Sequence, residues 1–324
     1  MTPSHSLSEY RNVMIDRLSA VVVTYNSAAT IDRCLKSLEM AGVSEVLVID
    51  NNSTDCTSSI VGLYTSRLDE FGFFEARTNL GFGRAVNRGV AMLRNETNNI
   101  LLVNPDCFVD PTQVVQGAAL VPIHAEILGF TQVNEELATV PVLGPLPTLI
   151  VFSGIAIRVI FGRHTSTRIE SHLERFLDLR PKQELVAEAS ELHVVSKRHF
   201  VTASLMIINR SAFRTLRGFD EAYFMYCEDA DLVERAHRRG LRVRLLNSDS
   251  KSIHLVGGSG GGQLYDSPAI LASFSIYLRR HRPCSWLASS AIALSLAVGA
   301  QFSRSLATRK AGREAIRYLV TRQP

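Results

Sequence analysis

Cysteine is scarce and unpatterned in this chain. Cys34, Cys56, Cys107, Cys227 and Cys284 are odd in number, widely scattered, and form no C-x-x-C pair. That argues against a disulfide framework and a thiolate zinc site, and it suits a reducing cytoplasm. Charge is also limited. Charged residues make up 20% of the 324 positions against 46% hydrophobic, which excludes global disorder and leaves material for a sizeable core. No glycine-rich phosphate fingerprint follows the first apolar segment. Asn26-Ser27-Ala28-Ala29 stands there instead, which disfavours a dinucleotide fold and a nucleotidyltransferase. Met1 to Arg17 has no apolar stretch and reads as an N-terminal tail, not a signal peptide. The basic residues lack interleaved aromatics, so no nucleic-acid partner is expected.

One long uncharged run is present, Pro283 to Ser303, with 21 residues. Ser285, Ser289, Ser290, Ser295 and Gln301 dilute it, so it reads as a buried or interfacial helix in a C-terminal extension (283–324), with a spanning helix disfavoured. Basic residues cluster around it: Arg279, Arg280, Arg282, Arg304, Arg309, Lys310, Arg313, Arg317 and Arg322. Such a tail suits an anionic membrane surface or a phosphorylated substrate; the first implies a cytoplasmic protein held peripherally on the inner face of the cell membrane. Packing against the rest of the chain, or a homo-oligomer contact, is the plainer alternative.

The segment 18–282 reads as α/β. Leu18 to Tyr25 is near-continuously apolar, as a central parallel strand is. Ile31, Cys34, Leu35 and Leu38 make a helix face that ends at Gly42. Glu45 to Asp50 is a second strand, Phe71 to Ala76 a third and Ile100 to Val103 a fourth, with a helix face at Ala85, Val86, Gly89, Val90 and Leu93. This alternation predicts a mostly parallel sheet flanked by helices. Val201 to Asn209 and Leu241 to Leu246 are further strands, with a helix over Asp229 to Arg239 between them. The stretch from Asp110 to Phe200 carries apolar runs such as Leu149 to Phe161 and a charged helical pattern over Ile169 to Arg180, and its role is not legible.

Functional residues are sought where parallel strands end, because ligands of open α/β sheets bind at that edge. Asn104-Pro105-Asp106 follows the fourth strand. It is either a plain turn or a carboxylate placed for a hard cation carrying a diphosphate. Asp50 is a helix cap or an acceptor for the imide N–H of a uracil or thymine ring. Asn79, Gly81 and Asn87 are turn chemistry or a backbone approach to a nucleotide, with Arg84 and Arg88 near its phosphates. Glu228, Asp229 and Asp231 complement a helix dipole. Placed directly after Tyr223-Phe224-Met225-Tyr226, semi-buried acids also suit a general base. His254, past a strand, is a surface histidine or a metal-site partner of Asp106.

Taken together these stretches resemble the family 2 inverting glycosyltransferases of the GT-A fold, in their rhamnosyltransferase-like branch. The resemblance rests on Val23-Thr24-Tyr25-Asn26, Ile49-Asp50-Asn51-Asn52-Ser53-Thr54-Asp55, Asn79-Leu80-Gly81-Phe82-Gly83, Asn104-Pro105-Asp106, Gly218-Phe219-Asp220-Glu221 with Phe224 to Leu232, and His254-Leu255-Val256-Gly257. Each is weak alone; six in order are specific. The resemblance implies a GT-A domain over 18–282 and a nucleotide-sugar donor, dTDP-rhamnose or another dTDP- or UDP-sugar. Thr24, Tyr25, Asn26, Asp50, Asn51, Asn79, Gly81, Arg84, Asn87, Asn104 and Asp106 would bind it. It implies a divalent metal (Mg or Mn) at Asp106 with His254, Asp229 as base beside Glu228, and a glycan or lipid-linked acceptor in cell-surface polysaccharide synthesis. Asn104 replaces the first acid of the family's D-x-D, which leaves the metal fewer charged ligands. The rivals are a non-catalytic glycan-binding protein on the same fold and a sugar nucleotidyltransferase.

Overall fold

Leu18–Thr24 forms β1, and all seven of its residues are buried. A computed structural model describes residues 18–65, 70–96, 98–148, 156, 191–256, 269–299, 301, 313 and 316–317. After β1 come α1 (Ile31–Ala41), β2 (Glu45–Asp50), α2 (Thr57–Gly62), β3 (Phe71–Glu75), α3 (Phe82–Met92), β4 (Asn99–Val103) and β5 (Cys107–Phe108). Then follow α4 (Pro111–His124), β6 (Ile127–Phe130), β7 (Gln132–Val133), β8 (Thr139–Val140) and β9 (Leu143–Pro145). The C-terminal part holds β10 (Glu191–Val194), β11 (His199–Val201), β12 (Leu205–Ile208), α5 (Arg210–Leu216), α6 (Glu228–Arg238), β13 (Val243–Asn247), β14 (Ser252–His254), α7 (Ala269–His281) and α8 (Pro283–Gly299).

The main sheet has eight strands in the order β10-β13-β6-β12-β4-β1-β2-β3. The expected parallel block is present: β1 pairs in parallel with β2 and β4, and β2 with β3. β12 runs antiparallel to both β4 and β6, and β10 is antiparallel to β13. Because β1, β2 and β4 are parallel and adjacent, Thr24, Asp50 and the turn after Val103 finish on one edge. Core residues from alternate positions of these strands fall into two clusters, one on each face of the sheet. Helix α1 ends as expected at Gly42, in the left-handed region. Helix α3 lies so close to the sheet that a Cβ on Gly89 would meet Val21 Cγ1 at 2.7 Å.

One expected strand is divided. Val201 to Asn209 does not run through: β11 pairs with β9 in a two-stranded sheet, and β12 enters the main sheet. Thr202, Ala203 and Ser204 lie between them, too small and polar to hold a long apolar strand together. A four-stranded sheet, β5-β14-β7-β8, sits beside the main one. The runs Leu149 to Phe161 and Ile169 to Arg180 lie, apart from Ala156, outside the described residues, as does the glycine run 257–262.

A third apolar cluster joins the loop before α6 to the C-terminal helices. Tyr223, Cys227, Ala230, Leu271, Phe274, Tyr277 and Ala297 are buried in it, with Trp286 and Ile316 packed alongside. Ion pairs reinforce this contact. Asp231 accepts from Arg235 Nε and faces His281 Nε2, each at 2.7 Å, and Glu234 is bonded to Tyr277, Arg238 and Arg282. Asp231 is thereby a structural acid, tied from two helices.

Candidate active site

The edge where β1 and β2 end is built from side chains that close one another's loops. Asp50 accepts from Thr24 Oγ1 at 2.8 Å, from Ser53 Oγ at 2.5 Å and from Ser53 N at 2.9 Å. Asn26, itself at positive φ, accepts from the Thr54 N–H at 2.8 Å. Asn51 donates to the Gly81 carbonyl at 3.2 Å and accepts from Leu80 N at 3.3 Å, so it ties the two expected donor loops together. Asn79 accepts from Gly81 N at 2.9 Å. Tyr25 stands exposed beside them. Arg84 and Asn87 point elsewhere. Arg84 Nε donates to the Glu221 carbonyl at 2.8 Å, while the Asn87 amide brackets Phe219, accepting from its N–H and donating to its C=O, each at 2.9 Å. Their polar groups hold the Gly218-to-Glu221 turn.

Gly81 is the closest approach between this edge and the acidic segment. Its φ is +79°, and a Cβ there would lie 2.1 Å from the Phe224 carbonyl oxygen, so only glycine fits. The same carbonyl accepts from Phe82 N at 3.0 Å. On the far side, buried Ser273 of α7 donates to the Met225 carbonyl at 2.6 Å. Tyr226 and Cys227 then follow with φ of 69° and 65°, two consecutive non-glycine residues in the left-handed region. Such strain persists only where surroundings enforce it. The loop from Gly81 and helix α7 together hold the corner that presents Glu228 and Asp229.

Glu228 is buried, and its Oε2 has no hydrogen-bond partner among the described residues. Burial, with the charge of Asp229 beside it, pushes its carboxyl up to about 8. Asp229 keeps partial solvent access. Burial raises it to about 6, against backbone hydrogen bonds from Ala230 and Ala203 that favour the carboxylate. Both carboxyls are thus pushed up together by burial, and a single negative charge shared between them is favoured over two, which leaves the pair able to accept a proton.

The bond from Ala203 links the acid pair to the third element of the site. Asn104 N donates to the carbonyl of the next residue, Ser204, at 2.8 Å. The Asn104 carbonyl in turn accepts from Cys107 N at 3.0 Å and from the Cys34 thiol at 3.5 Å. Burial, with the Asp106 charge nearby, pushes the Cys34 and Cys107 thiols well above their ordinary range, so neither is a nucleophile. The sequence pattern reads 202–204 only as part of a strand; its short run of small polar residues within an apolar stretch is the signal it offers.

Asp106 and His254 are brought together by strand pairing. β14 is antiparallel to β5 with His254 opposite Cys107, and the Asp106 carbonyl accepts from Leu255 N at 3.0 Å. Both side chains are nearly buried, with His254 Nε2 3.4 Å from Asp106 Oδ1. His254 Nδ1 is buried with no partner among the described residues. No group of three or more His, Cys, Asp or Glu able to hold a metal occurs among the described residues. One carboxylate and one imidazole fit a divalent cation that brings most of its oxygen ligands with it on a diphosphate.

These elements define the nucleotide-diphospho-sugar transferase fold of the GT-A type. Known proteins agree with that class. Residues 19–120 match the family model described as Glycosyl transferase family 2. The N-acetylglucosaminyl-diphospho-decaprenol L-rhamnosyltransferase of Mycobacterium tuberculosis is 29% identical over 241 residues, covering 70% of this chain and 72% of the relative. The low-salt glycan biosynthesis hexosyltransferase Agl10 of Haloferax volcanii is 25% identical over 235 residues, 72% of this chain and 66% of the relative. Among solved structures, GalNAc-T7 with UDP, GalNAc and Mn2+ superposes with a TM-score of 0.60 at 12% identity, over 94% of this chain and 56% of that one. S. aureus TarS 1-349 with UDP-GlcNAc gives 0.52 at 17% identity, over 95% and 82%. Residues 19–120 are thus similar to a family 2 glycosyltransferase domain, and the fold is the one that GT-A glycosyltransferases share.

Proposed function

We propose that this protein is an inverting glycosyltransferase that moves a sugar, rhamnose favoured, from a dTDP- or UDP-sugar to a glycan or lipid-linked acceptor. The observation that carries the reading is the placement of Asp229. It is an ionisable carboxylate with partial solvent access, joined through 203–204 to the turn bearing Asp106. In the reaction, Asp229 takes the proton of an acceptor hydroxyl as its oxygen attacks the anomeric carbon. The bond from that carbon to the diphosphate breaks, its electron pair leaves with the nucleoside diphosphate, and the configuration inverts. Glu228 is buried beside it with its carboxyl pushed up, so a second negative charge next to the base is disfavoured. Asp50, Asn51, Asn79 and Gly81, with Thr24, Tyr25 and Asn26, shape the donor edge. Arg84 and Asn87 contribute through the turn they hold.

A divalent cation, Mg or Mn, held by Asp106 and His254 would supply Lewis-acid charge to the leaving diphosphate. The mycobacterial relative is named for a lipid-diphosphate acceptor, which supports a lipid-linked acceptor here and peripheral contact with the inner face of the membrane. Among the described residues no helix is long and apolar enough to cross a membrane. A thermal-shift screen of sugar nucleotides with Mn2+ and with chelator tests the donor. Stabilisation by dTDP- or UDP-sugars that depends on metal is expected. A protein that binds glycans but neither binds nor hydrolyses any sugar nucleotide is the non-catalytic alternative.

A further inference from the structure

Helix α8 is unusual for a surface helix. Its 17 residues, Pro283–Gly299, include no charged side chain, yet one side of it is open to solvent. Leu287, Leu294 and Val298 are 67%, 41% and 45% exposed. At helical spacing these three fall on one stripe, with exposed Ala291 between them. The adjoining side is already used: Trp286 Nε1 donates to Ser275 Oγ of α7 at 3.1 Å, and Ala297 is fully buried. The stripe is therefore left over after α8 has docked on α7.

Charge is segregated around this helix. From Arg279 to the end of the chain there are nine Lys or Arg and one acid, Glu314, although the whole chain carries only +4. The preceding 278 residues are thus net acidic. Arg279 is exposed just before α8, while Arg280 beside it is paired with Asp220, and Arg313 and Arg317 are exposed on either side of Ile316, which packs on the same cluster as Trp286. An apolar stripe framed by arginines is complementary to an anionic bilayer surface, whereas stacking this face on the same face of a second copy would set arginine against arginine.

We propose that the exposed face of α8 is a membrane-docking surface. Leu287, Ala291, Leu294 and Val298 enter the headgroup–acyl boundary of anionic lipid, and the flanking arginines contact the headgroups. This deepens the lipid-linked acceptor reading and rests on it for its purpose, though not for its test. Helix α8 is packed on α7, and α7 holds the Met225 carbonyl and Asp231, so docking fixes the acid pair at a set height above the lipid.

Flotation of the full chain tests this with vesicles of phosphatidylcholine containing phosphatidylglycerol, and with pure phosphatidylcholine. The chain should float with the anionic vesicles, be released by high salt, and ignore neutral ones. Leu287→Glu with Leu294→Glu should lower the bound fraction by roughly tenfold or more. The same charge change at two exposed positions elsewhere, Met40→Glu with Leu63→Glu, should not. Unchanged thermal stability and donor-induced stabilisation will show that the double variant is folded. Vesicle binding that survives the double substitution overturns the proposal. So does an absence of binding at any salt, or sedimentation showing a dimer that the double variant abolishes. Each of these leaves the glycosyltransferase reading standing. Loss of donor binding in the wild type would sink that reading and not this one.

Discussion

Replacing Asp229 by Asn should remove activity and at the same time stabilise the fold at alkaline pH. The carboxyl is raised by burial from an ordinary 3.8 to about 6. The native state thus binds a proton more readily than the unfolded chain, and stability falls as pH rises through that window. At about 1.4 kcal/mol per unit, the shift corresponds to ~3 kcal/mol of strain above pH 6. Asparagine carries no charge but keeps one acceptor for the bonds from Ala230 and Ala203; losing the second acceptor costs about 1 kcal/mol. The variant should therefore be about 2 kcal/mol more stable than wild type at pH 8, with the advantage gone by pH 4. Catalysis should move the other way, with transfer falling by about 10²–10⁴-fold while donor affinity stays nearly intact. In the wild type the rate should fall below pH about 6, where Asp229 becomes protonated and cannot accept a proton. Denaturant melts at pH 8 and pH 4, calorimetry of donor binding, and acceptor turnover measure all of this. Near wild-type turnover, or an equal stability difference at both pH values, would refute the assignment and turn attention to Glu228.

Other substitutions probe the supports of the site. Gly81→Ala places a methyl group against the Phe224 carbonyl and should cost roughly 1–3 kcal/mol, read by thermal melting, with donor affinity lost as well. Ser273→Ala frees the Met225 carbonyl behind the left-handed corner. It should lower kcat roughly tenfold with donor KM within about twofold, and Ser273→Thr should restore the rate. Asp106→Ala should weaken donor binding in the presence of Mg2+ or Mn2+, and His254→Ala should do so less. Calorimetry with and without chelator checks this, and equal donor affinity in both conditions would remove the metal.

The parallel half of the sheet was legible where its central strands are buried on both faces. Leu18–Thr24 and Glu45–Asp50 are apolar nearly throughout, and Gly42 marks a helix end with its own backbone chemistry. The C-terminal half was less legible. Strand direction leaves no mark on periodicity, so the antiparallel entry of Leu205–Ile208 between β4 and β6 was hidden. The pairing of Asp106 with His254 depends on strands of two and three residues, too short for any pattern to emerge. Arg84 reads toward the phosphates, and Asn87 toward the donor loop, because glycines surround them. Their partners, Glu221 and Phe219, lie more than 130 positions away. Ser273, in a helix with no motif, carried no signal at all.

The central claim is sugar transfer with inversion at a nucleotide-sugar donor. Its most direct measurement incubates the purified full chain with dTDP-rhamnose, Mn2+ and a lipid-diphosphate N-acetylglucosamine acceptor, followed by mass spectrometry and NMR of the product. The account predicts a lipid-linked disaccharide whose new linkage has the opposite anomeric configuration to the donor, with no product from Asp229→Asn. A product of retained configuration, or full activity in that variant, would contradict it.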